Sequence, residues 1–349
     1  MVKVEFHVVG AGPAGAAFAY FASLKGYGVS VYEMLPAPGL KPCGWAVPRK
    51  VDEVLKIPSE FVLSEIRGYR VYLDGRLVGE RREGGVWGYI VNKPLLIRHL
   101  LGQAERVEYR TRARVNEKGL IINNMLKAES SDVVIAAGNL WKDAPRERIY
   151  AVQVLLEFEK KLEEPDVVEI WFDSDMVGYY WFFPEGEKRV RVGVGGHEEP
   201  QSLLERLERF LREHPVAKFG MRVEPIRGSY IVVSGPQQHL MDGSPPVIGE
   251  AAGLVYPISG EGIRPALESG KKLLEAIESG KPLSKLMEKT VSVMRKQKKL
   301  LDAVKRAPPR LRAAVLEKLP VEVSVALALG DVDPLAVVKR ILGRTLLAH

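Results

Sequence analysis

The feature that most constrains the fold is "VEFHVVGAGPAGAAFAYFASLKGYGVSVYE", residues 4 to 33. It reads as an apolar strand, a glycine turn, an Ala-rich helix and a second strand that ends in an acidic residue. Gly10, Gly12 and Gly15, with Ala14 between the last two, occupy a G-x-G-x-x-G turn. Glycines at that spacing permit a tight turn, close approach of a pyrophosphate and close packing of helix on strand. The phosphates then lie at a helix N-terminus, where free N–H groups and the macrodipole favour an anion. Glu33 closes the second strand, placed to accept hydrogen bonds from ribose hydroxyls. The spacing fits FAD and NAD alike.

A chain of 349 residues exceeds the size at which one core usually keeps growing, so more than one lobe is expected. Hydrophobic residues at 46% and charged residues at 27% exclude a disordered chain. Cys43 is the single cysteine, which excludes an internal disulfide and cysteine-rich zinc or iron–sulfur sites, and implies a reducing cytoplasm. The six histidines show no ligand-pair spacing, so no metal site is expected. The N-terminus carries no signal-peptide pattern, and no uncharged run approaches the ~20 apolar residues of a membrane span. Residues 281 to 349 hold 15 Lys plus Arg against 6 Asp plus Glu, whereas residues 1 to 280 hold 36 against 38. This basic tail suits either solvated helix faces or peripheral contact with the inner face of a membrane. No base-reading module is present, so nucleic acid is not an expected partner.

"PPVIGEAAGLVYPISGEGIRPALESGKKLLEAIESG", residues 245 to 280, reads as a short strand ending at Gly249, a glycine-broken loop and an amphipathic helix from about Ile263. Gly260, Glu261 and Gly262 thus aim a second helix N-terminus. A one-domain NAD site has no task for it, whereas in a flavoprotein it presents N–H groups to the pyrimidine edge of the isoalloxazine. "RVGVGGHEE" has Glu198 at the third glycine position, so a second dinucleotide domain is not expected. Electrons then come from transiently docking NAD(P)H or from a reduced protein such as ferredoxin. Residues 179 to 183 are all aromatic, and alternation along a strand makes them either plain core or the wall of an apolar slot for a hydrocarbon.

"GEAAGLVYPISGEGI", residues 249 to 263, resembles the distal FAD motif of the single-Rossmann flavoproteins that include aromatic hydroxylases and geranylgeranyl reductases. Gly249-Glu250 stands where those families carry Gly-Asp. "NKPLLIRHLL" and "DVVIAAGN" resemble two further segments of that superfamily, each without its Asp; Lys93 loosely keeps a basic position. Tyr179, Trp181, Phe183 and Pro184, followed after eight residues by Gly193 and Gly195, resemble the Tyr-x-Trp-x-Phe-Pro…Gly-x-Gly pattern of geranylgeranyl reductases. Lys41, Pro42, Cys43 and Gly44 match the Lys-Pro-Cys-Gly form of that family's cysteine turn. The resemblance, which extends to archaeal digeranylgeranylglycerophospholipid reductases, spans roughly residues 4 to 280.

It implies an α/β fold: a Rossmann-type FAD-binding domain of residues 1–65, 90–148 and 236–280, an inserted antiparallel β-sheet substrate domain of 66–89 and 149–235, and a basic C-terminal helical region of 281–349. It implies that Gly10, Gly12, Ala14, Gly15, Glu33, Cys43, Gly44, Gly249, Glu250, Gly260, Gly262 and Ile263 hold FAD. Tyr179, Trp181, Phe183, Pro184, Gly193 and Gly195 would form the substrate cavity. The implied reaction saturates C=C bonds of a geranylgeranyl chain, on a diphosphate or an archaeal-type membrane lipid, by hydride from reduced flavin N5 plus protonation. An isolated prenyl double bond needs that proton because no carbonyl polarises it. A thiol of pKa ~8.5 is mostly protonated near neutrality and tolerates an apolar wall. Three roles are open to Cys43 there: proton donor, holder of a water, or part of the flavin's surroundings. A free cysteine also packs well as a small hydrophobe. A flavin monooxygenase, a quinone-linked oxidoreductase and a non-catalytic prenyl-lipid-binding flavoprotein remain rival readings.

Overall fold

The computed structural model describes residues 4–116 and 118–337. The part of the basic tail from 338 to 349 lies outside the described residues.

Alternating apolar residues build a four-stranded sheet in the order Val133–Ile135, Glu5–Val9, Gly28–Tyr32, Arg106–Glu108, with every pairing parallel. Helix Pro13–Leu24 packs on it through Ala14, Ala16, Ala17, Ala19 and Ala22, all buried. These small side chains let a second helix, Ile263–Ser279, approach closely. At the crossing, a Cβ on Gly270 would lie 2.6 Å from the Ala14 carbonyl oxygen. The short strand expected before Gly249 is reduced to one parallel bridge, Ile135 with Val247, and Gly249–Ala252 is a 3-10 turn. The positive φ of Gly249 and of Gly253 bends the backbone out of the sheet there.

The second layer is an eight-stranded sheet, ordered Met221–Arg222, Arg148–Glu157, Arg189–Gly196, Gly178–Pro184, Val167–Phe172, Gly68–Leu73, Arg76–Arg82, with Arg227–Val232 also paired to Arg148–Glu157. The hairpin Gly68–Arg82, turned by Asp74 and Gly75 at positive φ, joins it through the one parallel pairing in the sheet, Val167–Phe172 with Gly68–Leu73. Period-two alternation divides the aromatic run. Tyr180 and Phe182 join Val154, Leu156, Val190, Val192 and Val194 in a core beneath helix Pro200–Glu213, which contributes Leu203, Leu207 and Leu211. Burying each of those leucines contributes about 2 kcal/mol. Tyr179, Trp181 and Phe183 take the opposite face.

A third, antiparallel sheet of Ala46–Pro48, Gly88–Val91 and Val62–Ile66 ties the layers together. Its register, Ala46 opposite Ile90, brings the cysteine turn beside the start of helix Lys93–Leu101. The tail runs through helices Leu283–Leu286 and Glu288–Arg306, breaks at Pro308, and continues as Pro309–Lys318 and Val321–Ala328. Among the described residues no helix is long and apolar enough to cross a membrane.

Candidate active site

One cavity of about 1500 Å³ runs from the glycine turn, past the cysteine turn, along the aromatic face of the large sheet to the tail helices. That exceeds the upper end, about 1000 Å³, of ordinary small-molecule pockets. Its volume suits a dinucleotide with a second ligand.

At the nucleotide end the three glycines have separate tasks. Gly10 sits at φ +105° with the Ala136 carbonyl 2.5 Å from where a Cβ would be. Gly15 meets the Gly10 carbonyl at 2.1 Å on the same construction, so the helix seats against the turn. Gly12 has no atom within 4 Å of that position; its missing side chain leaves open space on the cavity side. Gly12 caps helix Pro13–Leu24 with no side-chain acceptor. Gly262 likewise offers none to helix Ile263–Ser279, but there the Arg264 N–H donates to Glu261 Oε1 at 2.9 Å. Two helix N-termini therefore face one cavity, the first of them without a side-chain cap. Glu33 accepts hydrogen bonds from the backbone N–H groups of Ala11 and Leu35, both at 2.8 Å, which fixes its carboxylate beside the turn. Gly249 lies one layer behind the cavity wall. Its N–H donates to the Ser269 hydroxyl, and a Cβ on it would lie 2.7 Å from that of Ala14, so it joins the two nucleotide-facing segments.

The cysteine turn is a built object. Lys41 Nζ donates to Glu250 Oε2 at 2.5 Å, while Glu250 Oε1 accepts from the Val232 N–H at 3.1 Å. The Glu250 carboxylate thus reaches two segments at once. Lys93, 5% exposed, donates to the Lys41 carbonyl at 2.7 Å. Burial holds its ammonium below the usual lysine range, with Cys43 and Glu250 pulling the other way. Gln153 Nε2 donates to the Cys43 carbonyl at 3.2 Å from the floor of the large sheet. The next residue but one, Trp45, sits at φ +61°, a conformation that costs a non-glycine residue about 1–2 kcal/mol. Its ring lies 4.4 Å from the Arg191 guanidinium, which is buried with Glu185 and bonded to Glu224, and that stack offsets the strain.

Cys43 and the aromatic strand share this wall. A Cβ on Gly44 would lie 3.0 Å from the Phe183 ring and 3.5 Å from Trp181 Nε1. Trp181 is 8% exposed, and its buried Nε1 has no hydrogen-bond partner among the described residues. The Tyr179 hydroxyl donates to the Ser259 carbonyl of the second glycine loop, and burial raises its pKa. Gly195 lines the cavity, whereas Gly193 and Pro184 lie behind it. Gly193 leaves room for the Trp181 ring, whose nearest atom would be 2.2 Å from a Cβ there.

Sequence reasoning missed Gln153 and Arg264 as site residues. Gln153 carried a signal, a lone polar residue in the apolar strand "YAVQVLLEFEK". Glu261, in the second loop, is buried beside Arg264, 3.1 Å away, and burial raises its carboxyl against the pull of that arginine. Among the described residues no group of three or more His, Cys, Asp or Glu is arranged to hold a metal ion.

The fold and site define a Rossmann-type FAD-binding fold carrying a separate, mostly antiparallel sheet and a helical C-terminal region. Residues 8–55 match the NAD(P)-binding Rossmann-like domain family. A geranylgeranyl bacteriochlorophyll reductase-like protein of Thermoplasma acidophilum superposes with a TM-score of 0.78 at 23% identity, over 93% of this chain and 94% of that one. 2-Methyl-3-hydroxypyridine-5-carboxylic acid oxygenase superposes with a TM-score of 0.67 at 15% identity, over 96% and 98%. In sequence, the digeranylgeranylglycerophospholipid reductase of Methanothrix thermoacetophila is 29% identical over 303 residues, 77% of this chain and 76% of that protein. The reductase of the same description from Thermoplasma acidophilum is 24% identical over 304 residues, again 77% and 76%. The chain thus has homologues among the digeranylgeranylglycerophospholipid reductases, at 24% and 29% identity.

Proposed function

We propose that this protein is an FAD-dependent reductase that saturates isolated C=C bonds of geranylgeranyl chains carried on a diphosphate or a membrane phospholipid. The observation that carries the reading is the shared wall of the cavity. The cysteine turn and the Tyr179–Trp181–Phe183 face stand together on a cavity that also reaches two helix N-termini, that of Pro13–Leu24 without a side-chain cap. Its residues suit FAD: open space at Gly12, glycines elsewhere that no side chain can replace, and an unpartnered indole N–H beyond the cysteine turn. When bound and reduced by an external nicotinamide or protein donor, FAD supplies the hydride.

The remaining work falls to this chain. Gly10, Gly12, Ala14, Gly15 and Glu33 hold the nucleotide end; Cys43, Gly44, Glu250, Gly260, Gly262 and Ile263 surround the isoalloxazine end. Tyr179, Trp181 and Phe183 orient the prenyl chain and exclude water. Gln153, through the Cys43 carbonyl, and Lys93, through the Lys41 carbonyl, fix the turn so that the thiol faces the alkene and delivers the proton. General-acid assistance of this kind is worth about 10²–10⁴ in rate. Leu311, Val315, Leu319 and Val325 of the tail close the hydrocarbon end. The basic outer face of the tail brings the enzyme to an anionic membrane surface from the cytoplasm.

The experiment is product analysis with oxygen monitoring. Incubation of the yellow protein with a reductant and geranylgeranyl diphosphate or a geranylgeranyl phospholipid is expected to add two hydrogens per double bond without oxygen uptake. Oxygen consumption coupled to a hydroxylated product would move the protein to the monooxygenases. A flavin that no donor reduces, with lipid still bound, would make it a carrier.

A further inference from the structure

The loop Tyr256–Gly262 presents Pro257, Ile258, Ser259 and Gly260 to the cavity, and three separate elements grip it. The helix that follows it, Ile263–Ser279, holds it through the Arg264–Glu261 pair. From the large sheet, the Tyr179 hydroxyl donates to the Ser259 carbonyl. From helix Glu288–Arg306, Gln297, with no exposed surface, accepts from the Ile258 N–H at 3.3 Å. The same amide donates to the carbonyls of Leu327, at 2.6 Å, and Ala328, at 3.3 Å. A fully buried amide that spends its donors and acceptor on two distant segments ties them together, since breaking either contact leaves buried polar groups unpaired.

Arg264 makes a second tie. Its Nη2 bonds to Glu261 at 3.1 Å and to the Leu329 carbonyl at 2.7 Å, and its guanidinium lies 4.9 Å from the centre of the Tyr256 ring. The tail backbone then rests on that ring: Gly330, at φ +75°, would place a Cβ 2.2 Å from it. By contrast, the outer faces of the tail helices are attached through exposed pairs, Arg76 with Glu317 and Arg81 with Glu322. Such pairs are worth about 0–1 kcal/mol each. The tail also rests on the sheets through Val321 and Val325 and through Arg312, which donates to the Ser174 carbonyl at 2.7 Å, but its fully buried amide tie, Gln297, runs to the cofactor loop.

We propose that Gln297 and Arg264 are positioning residues that latch the C-terminal helices onto the loop at the isoalloxazine end, so that tail docking and dinucleotide binding are energetically coupled. The proposal rests on the reading that the cavity takes FAD. Coupling of this kind is reciprocal: the factor by which the docked tail raises FAD affinity is the factor by which FAD favours the docked tail. Helices Pro309–Lys318 and Val321–Ala328, which wall the hydrocarbon end, thereby sense the state of the cofactor loop.

The test uses the full chain and the variants Gln297→Leu, Arg264→Met and Arg264→Lys. FAD affinity is read by flavin fluorescence, the flavin environment by the visible spectrum, and tail docking by the rate of tryptic cleavage between residues 305 and 318 with and without FAD. In the unsubstituted protein FAD slows cleavage. Gln297→Leu and Arg264→Met weaken FAD binding about tenfold or more, as expected when two or three buried hydrogen bonds are lost, and abolish the protection by FAD. Arg264→Lys, which keeps a donor for Glu261 and Leu329, restores most of both, a rescue that general destabilisation does not produce. Unchanged affinity, spectrum and protection in both disruptive variants would overturn the latch. Failure of the unsubstituted protein to bind FAD would overturn the cofactor reading and the latch with it. Should the disruptive variants not fold, Gly330→Ala, which presses on Tyr256 and removes no polar group, carries the same expectation: unchanged affinity and protection in it would overturn the latch.

Discussion

Gly193→Ala separates the placement of Trp181 from its chemistry. Gly193 lies behind the cavity wall, opposite Trp181 in the antiparallel register. An added Cβ would stand 2.2 Å from the near edge of the indole and 2.6 Å from the Val152 carbonyl. Ordinary contact begins at 3.4 Å, so the ring must yield by about 1.2 Å toward the cavity. Overpacking of this kind costs about 1–3 kcal/mol, and the Val152 carbonyl requires a shift of the paired strand beside that of the ring. A displacement of about 1 Å at a reacting centre can cost about 100-fold in rate. The expected outcome is a folded protein with a lowered melting temperature, FAD largely retained, and geranylgeranyl turnover reduced about 100-fold. Most FAD is retained because the glycine turn that holds the nucleotide end belongs to the parallel sheet. The assay is product quantification beside the flavin absorbance of the purified variant. A folded Gly193→Ala protein with turnover within twofold of the parent would refute the assignment of Trp181 to the substrate wall.

Cys43→Ala is expected to retain FAD and lipid but lose about 100-fold in turnover, the share of a general acid; full activity in product assays would exclude the thiol from proton delivery. Lys41→Met removes the partner of Glu250, which is 17% exposed, and is expected to destabilise by about 1–3 kcal/mol in denaturant titrations. The double variant Lys41→Met/Glu250→Gln should recover part of that loss. Glu164, bonded to Arg70 and Arg82, has its carboxyl held below the ordinary glutamate value of 4.5, first by the Arg70 bond. A depressed folded pKa means that this stability is present above pH 4.5 and fades as pH falls through the folded value. Glu164→Gln should therefore lower the melting temperature at pH 7 by about 1–3 °C and have no effect in acid; an equal effect at both pH values would contradict the pairing.

The nucleotide half of the fold was legible because its determinants are local. A strand, three glycines and an Ala-rich helix within 30 residues dictate one supersecondary unit, and helix Ile263–Ser279 announced itself through Gly262 and Pro265. For the aromatic strand the sequence offered core or cavity wall as alternatives, and period-two alternation makes it both, Tyr180 and Phe182 on one face and Tyr179, Trp181 and Phe183 on the other. What no short-range pattern carries is contact between remote segments. Lys41 meets Glu250 across 209 residues, and Gln153 meets the Cys43 carbonyl across 110. Gly249 looked like a cofactor contact, yet its backbone geometry and its fit against Ala14 place it behind the wall. Lys93 read as a remnant of a family motif, and only the small three-stranded sheet puts it behind the cysteine turn.

The most direct test of the account is a single turnover without oxygen. The protein is reduced with dithionite, freed of excess reductant and mixed anaerobically with geranylgeranyl diphosphate or a geranylgeranyl phospholipid, while flavin absorbance and product mass are followed. The account predicts recovery of the oxidised flavin spectrum in step with a product heavier by two hydrogens for each flavin reoxidised. A flavin that stays reduced until oxygen is admitted, beside unaltered prenyl chains, would contradict it.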